Sequence, residues 1–205
     1  MTTDAELLYA WRAGDTEAGQ QLFKRYYGPV ARFFANKIRE APGDLVQETF
    51  MGCVKGRDRI REGSNFRSYL FGVAYRVLTS YLRHRYEAPD DLASVSVLDL
   101  DPGPSTILHR SEEVRLLLQA LRTLPLELQV VVELRYWEQM TSTDISHVLG
   151  IPAATVRGRL RTGRTRLEEV LRTLPASPDV VHSTVSDIDG WAQKVREGVQ
   201  PPLSA

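Results

Sequence analysis

The 205-residue sequence has a single cysteine, no net charge and no long hydrophobic run. One cysteine, Cys53, excludes disulfides within the chain and cysteine-rich zinc sites. No apolar stretch approaches the ~20 residues that a membrane-spanning helix needs. The N-terminus carries acids where a signal peptide has a basic segment, so we expect an intracellular protein without a membrane span. A hydrophobic content of 42% is ordinary and predicts a folded chain.

Patterns that would indicate catalysis or metal binding are also missing. The four histidines are scattered along the chain, and the sequence has no glycine-rich phosphate loop. No serine or cysteine has a suitable base in a recognisable pattern. We therefore expect no enzyme activity, no catalytic residues, no cofactor and no metal ligands.

Charge is arranged in blocks although the total is zero. Residues 1–86 hold 14 Lys or Arg against 9 Asp or Glu, and residues 108–172 hold 10 against 8. Between them, residues 87–107 hold five acids, three prolines and no base. This segment has no sustained periodicity, which predicts an acidic linker between two mildly basic domains. We also expect the acidic linker to help the two domains fold back on one another.

Both basic blocks have helical periodicity without strand-like alternation, which predicts an all-α fold. In the first block, helices are expected after a cap at Asp15 or Thr16, after Gly43 and from about Phe66. Pro29 is expected to kink or interrupt the first of these helices. The inward face of the second is expected to comprise Val46, Phe50, Cys53 and Val54.

The second block predicts a helix-turn-helix. Residues 141–144, with sequence TSTD, resemble a capping box, and Gly150 can end the short helix that follows. Ile151-Pro152 then opens a helix with five arginines and no acid over residues 153–167. A solvated basic face is the alternative, but the capped helix and glycine turn upstream favour a helix that enters the major groove. The residues expected to contact duplex DNA are Thr155, Arg157, Gly158, Arg159, Arg161, Arg164 and Arg166.

Basic and aromatic residues also alternate along the helix that begins near Phe66. This composition suits single-stranded DNA, because bases stack on aromatic rings while cations hold the backbone. A core position is the alternative for the aromatic residues; it is favoured for Phe66 and Tyr81, and the two roles are balanced for Tyr69.

Together these blocks resemble extracytoplasmic-function (ECF) sigma factors. Residues 44–50, with sequence DLVQETF, resemble the polymerase-binding helix of region two, and residues 66–71, FRSYLF, resemble its promoter-melting helix. Residues 121–171 resemble region four. The resemblance covers roughly residues 5–86 and 108–172. It implies two small helical domains, region two at 1–86 and region four at 108–175, joined by a flexible acidic linker at 87–107 and followed by an extension at 176–205.

The resemblance also implies roles for individual positions and partners for the chain. It implies a bacterial cytoplasmic protein that binds promoter DNA and core RNA polymerase, through the flap and the clamp helices of the largest subunit, with an anti-sigma factor as a further candidate partner. The positions matching the clamp-helix contacts are Asp44, Gln47, Glu48 and Phe50. Those assigned to minus-ten DNA are Ser64, Asn65, Phe66, Arg67, Tyr69, Arg76, Thr79, Ser80 and Arg83. Those matching groove-facing positions at the minus-thirty-five element are Arg157 and Arg161.

Some features depart from the family or leave alternatives open. The family usually has Trp, Asn and Asp where this chain has Tyr69, Arg76 and Ser80, so the minus-ten sequence that it reads is expected to differ. The extension carries no motif and is either disordered or forms a docking helix around Trp191. A promoter-binding regulator that does not join polymerase is the alternative function, and the DLVQETF helix favours the sigma factor.

Overall fold

The computed structural model describes residues 2–38, 42–60, 65–86, 95–100 and 112–174. Within these ranges the chain is helical and forms no strand, which confirms the predicted all-α fold. A short 3-10 helix, Arg57–Arg59, lies between the third and fourth α-helices. The α-helices are α1 Asp4–Arg12, α2 Thr16–Ala35, α3 Pro42–Lys55, α4 Phe66–Tyr86, α5 Val97–Leu100, α6 Glu112–Thr123, α7 Leu126–Tyr136, α8 Ser142–Leu149 and α9 Ala153–Thr173.

Local sequence explains where α2 begins and where α8 begins and ends. The Asp15 carboxylate caps α2 by accepting hydrogen bonds from the first-turn backbone at 2.9 and 3.1 Å. Thr141 and Asp144 form the expected capping box before α8. Gly150 ends α8 with φ of 68°, a left-handed conformation that favours glycine. The predicted helix-turn-helix geometry of α8 and α9 is therefore present.

The structure differs from two local expectations about the first half. Pro29 does not interrupt α2, which continues through it from Thr16 to Ala35. Val30 and Phe34 on the next turn are fully buried, and their packing offsets the backbone hydrogen bond that proline cannot make. Val54 is 46% exposed although it was expected to face inward. One residue step rotates the side chain by about 100° away from the fully buried Cys53, which places Val54 beyond the core-facing stripe.

Part of the acidic segment is held against the second half. Val97 is fully buried, and the backbone N–H of Leu126 donates to the carbonyl of Val95 at 2.9 Å. Ser96 also forms an isolated antiparallel bridge with Pro125. The segment is thus anchored at residues 95–97, which its lack of periodicity did not predict. Residues 87–94 and 101–107 of the expected linker, and the proposed helix around Trp191, lie outside the described residues.

The larger of two buried clusters runs through both halves of the chain. It contains Leu22, Phe34 and Leu78 from the first half together with Val130 and Ile145 from the second. A smaller cluster joins α6 to α7 and α9. Because apolar side chains from both halves are removed from water together, the two halves stabilise each other.

Candidate nucleic-acid interface

Helix α9 presents a basic face to solvent while its opposite face packs on the second half. Val156 and Leu167 are buried, whereas Arg157, Gly158 and Arg161 are exposed. Gly163 permits the close approach to α7, since an added Cβ would lie 2.8 Å from a methyl group of Val132. The helix is therefore held rigidly by one side and leaves its cations available on the other, as insertion into a groove requires.

The other predicted duplex contacts on α9 differ in their surroundings. Thr155 and Arg166 are exposed. The Arg164 guanidinium donates to Glu168 at 3.0 Å, one turn along the helix. Arg159 forms an ion pair with Glu127 of α7, and both side chains are 26% exposed. Arg159 therefore has an acidic partner within the protein, which the charge pattern of residues 153–167 did not reveal.

The middle of α4 and one face of α3 line a shared cavity of about 470 Å³. The cavity brings Glu48, which was assigned to polymerase binding, next to Tyr69 and Arg76, which were assigned to minus-ten DNA. Ser80 also lines it, and an adjoining depression on α4 is lined by Thr79, Ser80 and Arg83. Five of the predicted minus-ten residues, Tyr69, Arg76, Thr79, Ser80 and Arg83, are thus grouped on one side of α4.

Sequence reasoning missed Gly56, which sets the position of Tyr69. A Cβ at residue 56 would lie 2.0 Å from the Tyr69 hydroxyl, so only glycine leaves room for the ring in this place. Gly56 follows directly after α3, a position where glycine commonly ends a helix. Nothing in the local sequence indicates that it contacts an aromatic residue thirteen positions later. Tyr69 is itself partly buried and packs against the core.

Phe66 is placed in the core at the start of α4. Its side chain is 1% exposed and makes edge-on contacts with Trp11 and Tyr26, with ring centroids 6.2 and 5.6 Å apart. The core role that the sequence analysis favoured for this residue agrees with this placement. In this structure the ring is not available to stack on a base. Ser64 lies outside the described residues.

The polar face of α3 is open to solvent. Asp44, Gln47 and Glu48 are exposed, whereas Phe50 is partly buried with its ring centroid 4.8 Å from that of Phe23. Met51 is 48% exposed and continues the same face one turn after Gln47. With the exposed Val54, it adds an apolar strip to the acids and amides of this helix, a feature typical of a protein-binding surface.

The first turn of α4 contacts the second half of the chain. The Asn65 amide donates to Asp144 at 3.2 Å, and the Ser68 hydroxyl donates to the same carboxylate oxygen at 3.4 Å. Burial alone would raise the pKa of Asp144, but hydrogen bonds from Thr141, Asn65 and Ser68 hold it below its usual value. Asp144 is therefore an anion that both caps α8 and binds α4.

In the ranges that the structure describes, no group of three or more His, Cys, Asp or Glu is placed to hold a metal ion. None of the described helices is long and apolar enough to cross a bilayer.

Comparison with known proteins gives consistent matches over most of the chain. The family model for Sigma-70 region 2 matches residues 22–87, and that for Sigma-70, region 4 matches residues 115–167. The chain is 26% identical over 183 residues to the ECF RNA polymerase sigma-E factor of Haemophilus influenzae, which covers 84% of this chain and 97% of that protein. It is 23% identical to the sigma-E factor of Escherichia coli K12, with 84% and 96% covered.

Two solved structures share the fold. CnrH in complex with the cytosolic domain of CnrY superposes with a TM-score of 0.59 at 23% identity, covering 82% of this chain and 97% of that one. The sigma factor RpoE in complex with the anti-sigma factor NepR from Bartonella quintana gives a TM-score of 0.57 at 22% identity, covering 75% and 98%. The two matched sigma-70 regions together span more than half of the sequence, in the expected order. The chain therefore belongs to the sigma-70 family, and over most of its length it is similar to ECF sigma factors.

Proposed function

We propose that this chain binds core RNA polymerase and directs transcription initiation at specific promoters, where it recognises and melts DNA. The observation that carries this is the pairing of two exposed surfaces in one chain. These are the mixed acidic and apolar face of α3 in region 2 and the basic face of α9 in region 4. We place region 2 at residues 1–86, the linker at 87–107, region 4 at 108–175 and an extension at 176–205.

In region 2, α3 would bind polymerase and α4 would hold melted DNA. The exposed Gln47 and Glu48 can hydrogen-bond a basic partner while Met51 is buried on contact, a combination that gives both register and affinity. Beside them, Tyr69 can stack on a base and Arg76 can hold a phosphate in the shared cavity. Polymerase binding and strand capture would thus occupy adjoining surfaces.

In region 4, α9 would read the minus-thirty-five element. Arg157 and Arg161 are one turn apart and exposed, so both can reach into the same stretch of major groove. Arg166, farther along the helix, is better placed to contact phosphates, which fix register without reading sequence.

Its chemical role would be binding without catalysis, in the bacterial cytoplasm where polymerase acts. The similar structures of CnrH and RpoE are complexes, the first with the cytosolic domain of CnrY and the second with the anti-sigma factor NepR. By analogy we propose an anti-sigma factor as a regulatory partner of this chain. A promoter-binding regulator that does not join polymerase remains the competing function, and α3 distinguishes the two.

Changing Gln47 and Glu48 to Ala is expected to weaken binding to core RNA polymerase at least about tenfold, or 1.4 kcal/mol, because both side chains lie at the centre of the α3 face. Binding is measured by titration of labelled chain with purified core enzyme. The matched control is E17A with Q20A, which removes one exposed Glu and one exposed Gln from α2. If the α3 variant binds core as tightly as its parent, the polymerase-binding role of this face is wrong.

Arg157→Ala is expected to cost about 1–3 kcal/mol at a cognate promoter and to relax preference at one base position, provided that it binds a guanine edge. Affinities for a set of single-base promoter variants measure this. Arg166→Ala is the control, since loss of a phosphate contact weakens binding evenly and reduces the salt slope by about 1. An even loss for Arg157→Ala would remove its base-reading role and keep α9 as a phosphate-binding helix.

A further inference from the structure

One arginine of helix α9 is held by an acid from a different helix. Arg159 forms an ion pair with Glu127 in the first turn of α7, and each side chain is 26% exposed. Arg164 also pairs with an acid, but its partner Glu168 lies on α9 itself and the Arg164 side chain is 54% exposed. An exposed pair within one helix contributes little to stability and exchanges readily with solvent. Arg159, unlike Arg164, is therefore held from outside its own helix.

Helical geometry places Arg159 at the edge of the exposed face of α9. Each residue turns an α-helix by about 100°, so Arg159 lies about 60° from the line of the buried Val156, on the side of α7. Gly158 and Arg161 are exposed and lie about 160° and 140° from the same line. Arg159 thus leaves the helix where its buried face ends, and its ion pair turns the guanidinium toward α7.

The start of α7, which carries Glu127, is held by the anchored part of the linker. The backbone N–H of Leu126 donates to the carbonyl of Val95 at 2.9 Å, and Pro125 forms an antiparallel bridge with Ser96. These contacts involve the two residues directly before Glu127, where a helix has N–H groups without partners in the helix itself. The first turn of α7 is therefore kept from fraying, and the Glu127 side chain projects from a fixed backbone.

Close packing also fixes α7 relative to α9. Val132 and Leu128 of α7 lie against Gly163, where an added Cβ would come within 2.8 Å of a Val132 methyl group and 3.6 Å of the Leu128 Cβ. Gly163 lies one turn after Arg159, and Leu128 directly follows Glu127. Because the two helices touch so closely one turn away, Glu127 and Arg159 cannot move apart without disrupting buried packing.

A side chain of α4 borders the same ion pair. Tyr75 is partly buried, and burial raises the pKa of its hydroxyl, whereas the nearby Arg159 lowers it and Glu127 raises it further. Partial exclusion of water strengthens the attraction between Arg159 and Glu127 relative to a fully solvated pair. Protein therefore borders this flank of α9 on two sides, with α7 on one and Tyr75 on the other.

The pairing changes what Arg159 can contribute to DNA binding. An arginine that contacts a phosphate adds affinity that is independent of sequence, and it steepens the dependence of log affinity on log salt concentration by about 0.9. An acid fixed beside the arginine competes with the phosphate and offsets this gain. The exposed Arg157 and Arg161 keep their access to base edges. Specificity depends on the ratio of the two kinds of binding, so restraint of Arg159 favours the specific one.

We propose that Glu127 is a positioning residue that raises the specificity of duplex recognition by holding Arg159 away from the DNA backbone. The inference rests on the proposed function, because it takes α9 as the helix that enters the major groove. When Arg157 and Arg161 contact bases, the orientation of α9 is fixed and Arg159 faces α7. Only in a loosely oriented, non-specific complex can a released Arg159 reach a phosphate.

The main test compares the full chain with its Glu127→Gln variant, which keeps the size of the side chain and removes its charge. The probes are a random-sequence duplex and a duplex of equal length that the parent chain selects from a randomised pool. Binding to the random duplex is expected to tighten by about threefold to tenfold and its salt slope to steepen by about 0.9, because one more cation reaches a phosphate. Affinity for the selected duplex is expected to stay unchanged.

Further variants show whether Glu127 acts through Arg159. In the Glu127→Gln background, Arg159→Gln is expected to reverse the gain in random-duplex affinity. In the parent, Arg159→Gln is expected to cost much less random-duplex affinity than Arg166→Gln, which removes an exposed arginine from the same helix. Glu169→Gln, an exposed change of equal charge on α9, measures the effect of charge alone and is expected to leave the salt slope unchanged.

Arginine-specific labelling with phenylglyoxal tests the restraint of Arg159 without DNA. The labelling rate at each arginine is followed by mass spectrometry in the parent and in Glu127→Gln. Arg159 is expected to react more slowly than the exposed Arg157 in the parent and at a similar rate in the variant. The rate at Arg157 is the internal control and is expected to be the same in both proteins.

Equal labelling of Arg159 in both proteins, or an equal gain in affinity on the random and selected duplexes, would overturn the role of Glu127. Equal losses for Arg159→Gln and Arg166→Gln in the parent would also reject it, because Arg159 would then contact DNA despite its partner. Failure of the proposed function would look different. The parent would then bind no duplex, with or without core polymerase, whereas labelling would still show whether Glu127 holds Arg159.

Discussion

Lys37→Met is expected to destabilise the native chain by about 3–5 kcal/mol, because it leaves the Glu133 carboxylate buried without its cation. Burial lowers the pKa of Lys37 and raises that of Glu133, while their mutual attraction opposes both changes. Removing one partner therefore exposes the full cost of burying the other. The free energy of unfolding, from guanidinium titration followed by tryptophan fluorescence, measures the effect.

The control for this prediction is the double variant Lys37→Met with Glu133→Gln. The glutamine carries no charge and its carbonyl can still accept from Gln129, so we expect the double variant to recover at least half of the loss. If single and double variants are equally unstable, the loss reflects packing around Lys37 and the buried charge is not its cause.

Trp11→Ala is expected to cost about 3–5 kcal/mol, since it removes a large buried aromatic side chain from α1. The indole is 5% exposed and makes edge-on contacts with Phe23 and Phe66, with ring centroids 5.3 and 6.2 Å apart. It also lies against the backbone of α2, where a Cβ on Gly19 would come within 2.5 Å of it. Denaturant titration measures the loss.

Tyr9→Ala on the same helix provides the comparison for Trp11. Its side chain is 73% exposed, so its removal is expected to change stability by no more than about 0.5 kcal/mol. Helix α1 precedes residues 22–87, which match the region 2 family model. Equal effects of the two changes would mean that α1 is not part of the region 2 core.

The sequence by itself determined the features that depend on local periodicity and short-range capping. The TSTD capping box and Gly150 mark the ends of α8, and Asp15 marks the start of α2. These signals are local, because a capping side chain bonds to backbone N–H groups within three residues and a left-handed glycine ends the helix at its own position. The exposed arginines of α9 followed from the 3.6-residue helical period. The resemblance to sigma factors rested on short motifs within α3 and α4 and on the helical pattern of residues 121–171.

Only the tertiary structure decided how the two regions meet. Lys37 and Glu133 are separated by 96 residues, and neither pattern around them differs from an exposed helical charge. The pairing of Arg67 with Glu138 depends on surfaces brought together from distant parts of the chain. The same is true of the space that Gly56 leaves for Tyr69. Local propensity carries no record of such contacts, because their free energy comes from burial and pairing that exist only once the helices have packed.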